Sequence, residues 1–344
     1  MTQTVSGSRS ARSFAALALL AGAALGLAAC GDDTDYTAAR EYWVQPDSVI
    51  IGLGQPGDVK ALTRDEAWVA DLMAGVIFSI APLEGRYVGI GMADREPVEV
   101  GTPAKIAVDP EFGLASFDAE TQMVDLFTLE GEHIRGFEPG FVPAVMSFSR
   151  QPVGLTFGIA AGDTVSGRHP VVIRTGMRGE ERDTLLSAAH GPEALRTATA
   201  EPGETSMSPS TEGMWVYART APDTVFSVAP GGVRRLVVRD EDRAAVGILA
   251  DRALDIVWLV HAEEPGVGRS YAAYDARLAA PEGEAPPADS VSFLGVRTTP
   301  DNFRPWVVHD GVIMGVRRIP GGGLALSAYA LNADRFGREE VDRR

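Results

Sequence analysis

The chain has 344 residues, of which 45% are hydrophobic, and a net charge of −16. That apolar content excludes disorder over most of the length, and the acidic balance repels phosphate backbones and so excludes a nucleic-acid partner. The single cysteine, Cys30, rules out an internal disulfide and any cysteine-built metal cluster.

The N-terminus reads as an address. Arg9 and Arg12 precede a short apolar run at residues 14–27, and small residues follow. This predicts a secretory signal peptide over residues 1–29, because the run is shorter than the roughly 20 residues that span a bilayer. Its end, Leu27-Ala28-Ala29-Cys30, resembles the lipobox of bacterial lipoproteins. The resemblance implies cleavage before Cys30, lipidation of its thiol and a membrane-anchored envelope protein. Gly31 stands where Asp would mark inner-membrane retention, which points to the outer membrane in a Gram-negative host. Residues 30–46 read as a polar tether.

Residues 103–137, PAKIAVDPEFGLASFDAETQMVDLFTLEGEHIRGF, hold four apolar runs separated by Asp, Pro, Glu and Gly turn clusters. Four antiparallel strands joined by tight turns are the expectation. The order recurs at residues 58–92, 143–188, 205–240 and 246–296, and three strands of a further copy run over residues 304–331. Residues 47–53, DSVIIGL, precede the first copy and supply the strand the last one lacks. Residues 47–331 thus divide into six copies of about 47 residues, the size of a propeller blade. The expected fold is all-β: a six-bladed β-propeller of four-stranded antiparallel blades, closed by an N-terminal strand joining the C-terminal blade. Residues 332–344 read as a polar tail. The pattern P-x-K-I-A-V-D…G-L-A-S-F-D…V-D-L-F-T-L-E-G resembles NHL-type blades and the bacterial six-bladed propeller lipoproteins that carry them.

Propellers host many functions, so chemistry must be argued from residues. A formal G-x-G-x-x-G at residues 52–57 carries Pro56-Gly57, which reads as a turn and not as the helix start that a dinucleotide needs. The five histidines are scattered, with no H-E-x-x-H, and no G-x-S-x-G occurs. No catalytic residue, metal or cofactor is implied. The resemblance also admits a lactonase-like hydrolase or lyase, whose Asp and Asn ligands would come from Asp109, Asp251, Asp310, Asn302 and Asn332. Those aspartates equally serve the turns that close inner strands. Four of the five tryptophans read as core, and Trp306 as a possible stacking platform.

The leading reading is a non-enzymatic binding or scaffold module for a protein, peptide or small ligand. A propeller enzyme and a structural subunit of an envelope complex are the alternatives. Its candidate site rests on the chain's two lysines, Lys60 and Lys105. Aligning VKALT with AKIAV puts both at one position of the innermost strand, matched by Val145, Thr205, Gly247 and Trp306 in later copies. With Arg304 close by, these cations would hold a carboxylate or phosphate at one tunnel mouth. The opposing expectation is that each lysine pairs with a neighbouring acid.

Overall fold

The computed structural model describes residues 36–38, 40–44, 55–81, 86–90, 100–160, 169–196, 205–238, 245–265, 268–281, 284, 292–318 and 324–331; for residues 36–44, 81 and 86–90 it describes the backbone alone. The signal peptide, Cys30, the strand expected at 47–53 and the tail at 332–344 lie outside the described residues.

Blade 2 shows how sequence makes a blade. Its strands are Pro103–Asp109, Gly113–Asp118, Val124–Phe127 and His133–Phe137. Asp109 ends the first strand and turns the chain, its Oδ1 accepting from the Glu111 N–H at 2.9 Å. Gly113 opens the next strand at φ +90°, where the Phe127 carbonyl leaves no room for a Cβ. Asp118 repeats the device, accepting from the N–H groups of Glu120 and Thr121 at 2.8 and 2.7 Å. The two inner strands are largely buried, and the outer strand His133–Phe137 is exposed except at Phe137. Apolar content therefore falls with distance from the axis.

The other blades follow the same order. Blade 1 comprises Pro56–Thr63, Glu66–Asp71, Val76–Ala81 and Arg86–Ile90. Blade 3 comprises Val145–Arg150, Val153–Ile159, Val171–Thr175 and Arg182–Leu186. Blade 4 comprises Thr205–Pro209, Met214–Ala218, Thr224–Ala229 and Gly232–Val237, with Ala280–Pro281 added at its edge. Blade 5 comprises Ala245–Asp251, Ile256–Glu264, Gly268–Asp275 and Phe293–Thr299. Blade 6 comprises Phe303–His309, Val312–Arg318 and Leu324–Ala330. The six sheets form a ring, each innermost strand beside the next and that of blade 6 beside that of blade 1.

A single sheet leaves both faces wet; the ring buries them against each other. An apolar layer fills every blade interface, and the blade 6–blade 1 layer sets Val312, Met314 and Leu326 against Val59, Val69 and Phe78. Polar stitches tie the inner strands. Asp58 Oδ2 on blade 1 accepts from the Ile106 N–H on blade 2 at 3.1 Å. Ser206 and Ser208 on blade 4 accept from Ile248 and Ala250 on blade 5 at 3.1 and 2.9 Å. Asp251 on blade 5 accepts from Asp310 and Gly311 on blade 6 at 3.0 and 2.7 Å.

Two N-terminal segments differ from the polar tether expected there. Arg40–Val44 pairs antiparallel with Leu324–Ala330 as the fourth strand of blade 6, and Tyr36–Ala38 pairs parallel with Phe293–Thr299 at the edge of blade 5. The outer place in blade 6 is thus held by residues 40–44, ahead of the segment that sequence reading put there. An outer strand needs only backbone pairing and one apolar face, so a charged run such as REYWV serves, and its composition does not announce it.

The glycine motif also resolves. Gly57 lies inside strand Pro56–Thr63, not at a helix start. A Cβ there would meet the Pro103 carbonyl oxygen at 2.7 Å, so this glycine permits the close approach of blades 1 and 2.

Candidate functional site: the axial channel and its cationic mouth

Innermost strands from all six blades line an axial channel. Its bore has a volume of about 70 Å³ for the centres of water-sized groups, room for a few waters or one slender chain. The wall includes Ala107, Val108, Met146 and Ala250, and among the described residues no carboxylate is part of it.

Lys60 and Trp306 line this channel, and Lys105 and Arg304 stand over the Trp306 indole. Blades 6, 1 and 2 bring them together, although Lys105 and Trp306 belong to blades that flank blade 1 and not each other. The pairing register of Phe303–His309 slips between Pro305 and Val307, which leaves Trp306 as the extra residue of a bulge. Bulges re-aim a side chain, and here the indole lines the channel. Its Nε1 is buried without a hydrogen-bond partner among the described residues. The Arg304 guanidinium carbon stands 5.4 Å from the indole centroid, and the Lys105 Nζ 5.9 Å, both within cation–π range.

The two lysines divide between the two expectations. Lys60 pairs with an acid, its Nζ donating to Asp58 Oδ1 at 2.8 Å. Lys105 does not: among the described residues its Nζ has only the Gly57 carbonyl, at 3.5 Å, and no carboxylate within ion-pair distance. Burial pushes the Lys105 ammonium below the ordinary lysine range; Asp58 pulls it back up, and Lys60 and Arg304 push it further down. Arg304 is exposed and also lacks a carboxylate partner among the described residues. After pairing, two cations beside an aromatic face are left without a carboxylate partner among the described residues.

Register explains which matched positions take part. Lys60, Val145 and Trp306 line the channel as aligned, but Ala107, Met207 and Leu249 stand in place of Lys105, Thr205 and Gly247. Each is two residues further on, so the facing side is right and the level along the axis is one pleat off.

The strand ends make a second group that sequence reading did not assemble. Arg252 and His309 line the channel there. Arg150 Nη2 lies 3.3 Å from Asp109 Oδ2, and Arg64 lies 3.6 Å from Asp310. Burial lowers the Arg252 guanidinium, Asp109 opposes this and Arg150 adds to it; an arginine nonetheless keeps its charge at neutral pH. Burial likewise holds His309 below its usual range, with Arg252 adding to this against Asp251 and Asp310. Arg252 follows the turn aspartate Asp251, and its neighbours come from blades 2 and 3, so no local motif marks it.

The remaining candidates serve structure. Asn302 Nδ2 donates to the Arg318 carbonyl at 3.0 Å, and Asn332 lies outside the described residues. Asp251 Oδ1 also accepts from the Ala253 and Leu254 N–H groups at 3.1 and 3.3 Å, as a turn residue does. Among the described residues no group of three or more His, Cys, Asp or Glu side chains is arranged to hold a metal. Trp68, Trp215 and Trp258 are buried within blades 1, 4 and 5.

No protein-family model and no curated protein sequence matches the chain. Solved structures do match in shape. The chain is similar to an exported protein of Bacteroides fragilis, with a TM-score of 0.51 and 10% identity over 85% of this chain and 94% of that one. It is also similar to regucalcin, a calcium-binding protein of Agrobacterium tumefaciens, with a TM-score of 0.47 and 10% identity over 86% and 96% of the two chains. A streptogramin B lyase gives a TM-score of 0.44 and 10% identity over 79% of this chain and 78% of that one. At such identities the likeness speaks to fold alone: the chain is a six-bladed β-propeller.

Proposed function

We propose that this propeller is a non-enzymatic binding module of the cell envelope, lipid-anchored at Cys30, that takes a small anionic ligand at its channel mouth. One observation carries the reading: Lys105 and Arg304 converge on Trp306, and among the described residues neither has a carboxylate at ion-pair distance. A buried cation without a partner costs free energy. A bound carboxylate or phosphate removes that cost, while the indole face packs against the ligand's apolar part.

The ligand reading is tested by isothermal titration with phosphate and short carboxylates. Wild type should bind in a saturable, salt-sensitive way, and Lys105→Gln with Arg304→Gln should weaken binding by tenfold or more, as the loss of two charge-assisted contacts requires. Equal binding by both proteins would remove the site. The anchor is tested separately by labelling cells with a radioactive fatty acid. Label in wild type and none in Cys30→Ser is the expected result, and equal label contradicts it.

A further inference from the structure

We propose that the channel binds a linear molecule with an anionic group at each end and an apolar middle, of the α,ω-dicarboxylate class, with Arg252 holding the second anion. This rests on the anionic-ligand reading of the mouth and adds a subsite at the opposite end of the same cavity.

Charge accounting along the channel leads there. At the mouth, Lys60 is paired with Asp58 and the surplus is Lys105 and Arg304. At the far end, Arg150 is paired with Asp109 and Arg64 with Asp310. The Asp251 oxygens are taken by backbone N–H groups of residues 253, 254, 310 and 311. Arg252 makes no such direct pair: it is half-buried on the channel wall with no carboxylate at ion-pair distance among the described residues, although the Asp109 charge acts on it. A guanidinium in that position is a ready partner for a carboxylate.

Between the two ends the wall carries apolar side chains, among them Val108, Val145, Met207, Leu249 and Val307, beside the polar Ser147 and Ser208. Ser147 adds a buried hydroxyl without a partner. Trp306 and His309 are three residues apart on one inner strand, and Lys105 and Asp109 are four apart on another. At about 3.3 Å per residue the two anion positions are roughly 10–13 Å apart. An extended chain of about eight to ten carbons spans that distance. The bore of about 70 Å³ has room for a slender unbranched chain.

The test is calorimetric titration of the full chain with adipate, sebacate and decanoate, on wild type and Arg252→Gln. Sebacate should bind wild type about tenfold tighter than decanoate, the worth of one added charge-assisted contact, and adipate should be too short to gain it. Arg252→Gln should lower sebacate affinity to that of decanoate and leave decanoate within about twofold. Arg252→Lys, which keeps the charge, should retain most of the sebacate preference. Sebacate and decanoate binding wild type equally, or Arg252→Gln leaving sebacate unaffected, would overturn the second subsite while the mouth stands. If no carboxylate binds wild type at all, the mouth reading fails with it. The chain-length series on wild type keeps the proposal falsifiable even if the arginine variants misfold.

Discussion

The Lys105 ammonium lies 5.9 Å from the Trp306 ring centroid, although the two residues sit on blades 2 and 6 and are far apart in sequence. Blade 1 stands between those blades and contributes an acid that acts on Lys105, Asp58, which is already engaged by Lys60. The arrangement leaves a cation that burial disfavours in the folded protein, and its removal should be felt in stability as well as in binding.

Lys105→Met should therefore raise the melting temperature at pH 7 by about 1–3 °C while weakening anion binding. The folded pKa of Lys105 is below its unfolded value, so the charged form carries a penalty at neutral pH. That penalty fades as pH rises from the folded to the unfolded value. The advantage of the variant should accordingly vanish in scans near pH 11. A melting temperature that falls at pH 7 would show that Lys105 stabilises the fold.

Asp58 is the opposite case, an acid that the fold requires. Its oxygens accept from Val59 N–H at 2.9 Å, Lys60 Nζ at 2.8 Å and Ile106 N–H at 3.1 Å. Asp58→Ala leaves a buried cation and two N–H groups without acceptors and should cost about 3–5 kcal/mol in urea denaturation. Asp58→Asn keeps an acceptor and should cost roughly half as much. A loss under 1 kcal/mol for the alanine variant would mean the blade 1–blade 2 stitch carries little of the stability.

Asp118 should govern acid sensitivity. Burial pushes its carboxyl up, but donors at Thr121, Thr102 and Glu120 outweigh this and hold it below the ordinary range. The Thr102 N–H is 2.6 Å from Oδ2. A depressed folded pKa contributes stability above the unfolded value, near pH 4, and loses it as pH falls through the folded value. Asp118→Asn should be about 2 kcal/mol less stable than wild type at pH 7, and the gap should narrow as the pH falls below about 4. A gap that is constant with pH would rule out the carboxylate as its source.

Gly57→Ala probes blade spacing. The new methyl would meet the Pro103 carbonyl oxygen at 2.7 Å and that of Ala104 at 3.1 Å, and backbone does not yield as a flexible side chain would. A loss of about 1–3 kcal/mol is expected, as for other overpacked sites. Because the Gly57 carbonyl faces Lys105, the anion affinity should drop with it. An alanine variant as stable as wild type would show that the two inner strands can separate freely.

Much of this was legible in the sequence because a propeller repeats one local rule. Asp, Pro and Gly turns bound apolar runs of strand length, so the blade order could be counted without knowing any contact. The alignment of the copies put Lys60 and Lys105 on adjacent inner strands, with Arg304 and Trp306 on the last, but in several blades it missed the level along the axis by one pleat. Three things were not legible. Arg40–Val44 is an outer strand, stabilised by backbone pairing that no side-chain pattern encodes. The bulge at Trp306 turns on a single extra residue, and alternation alone cannot place it. Arg252 matters through neighbours drawn from Asp109 and Arg150, whose proximity exists only once the ring has formed.

The chain's two lysines make the central claim directly measurable. Protein labelled with ¹³Cε-lysine should show two lysine signals, which Lys60→Arg assigns. Titrated by NMR without ligand, the Lys105 signal should change at a pH below that of an ordinary lysine, near 10.4. With saturating sebacate or phosphate its midpoint should move upward, because a bound anion favours the charged amine. A Lys105 midpoint that no anion shifts would contradict binding at this mouth.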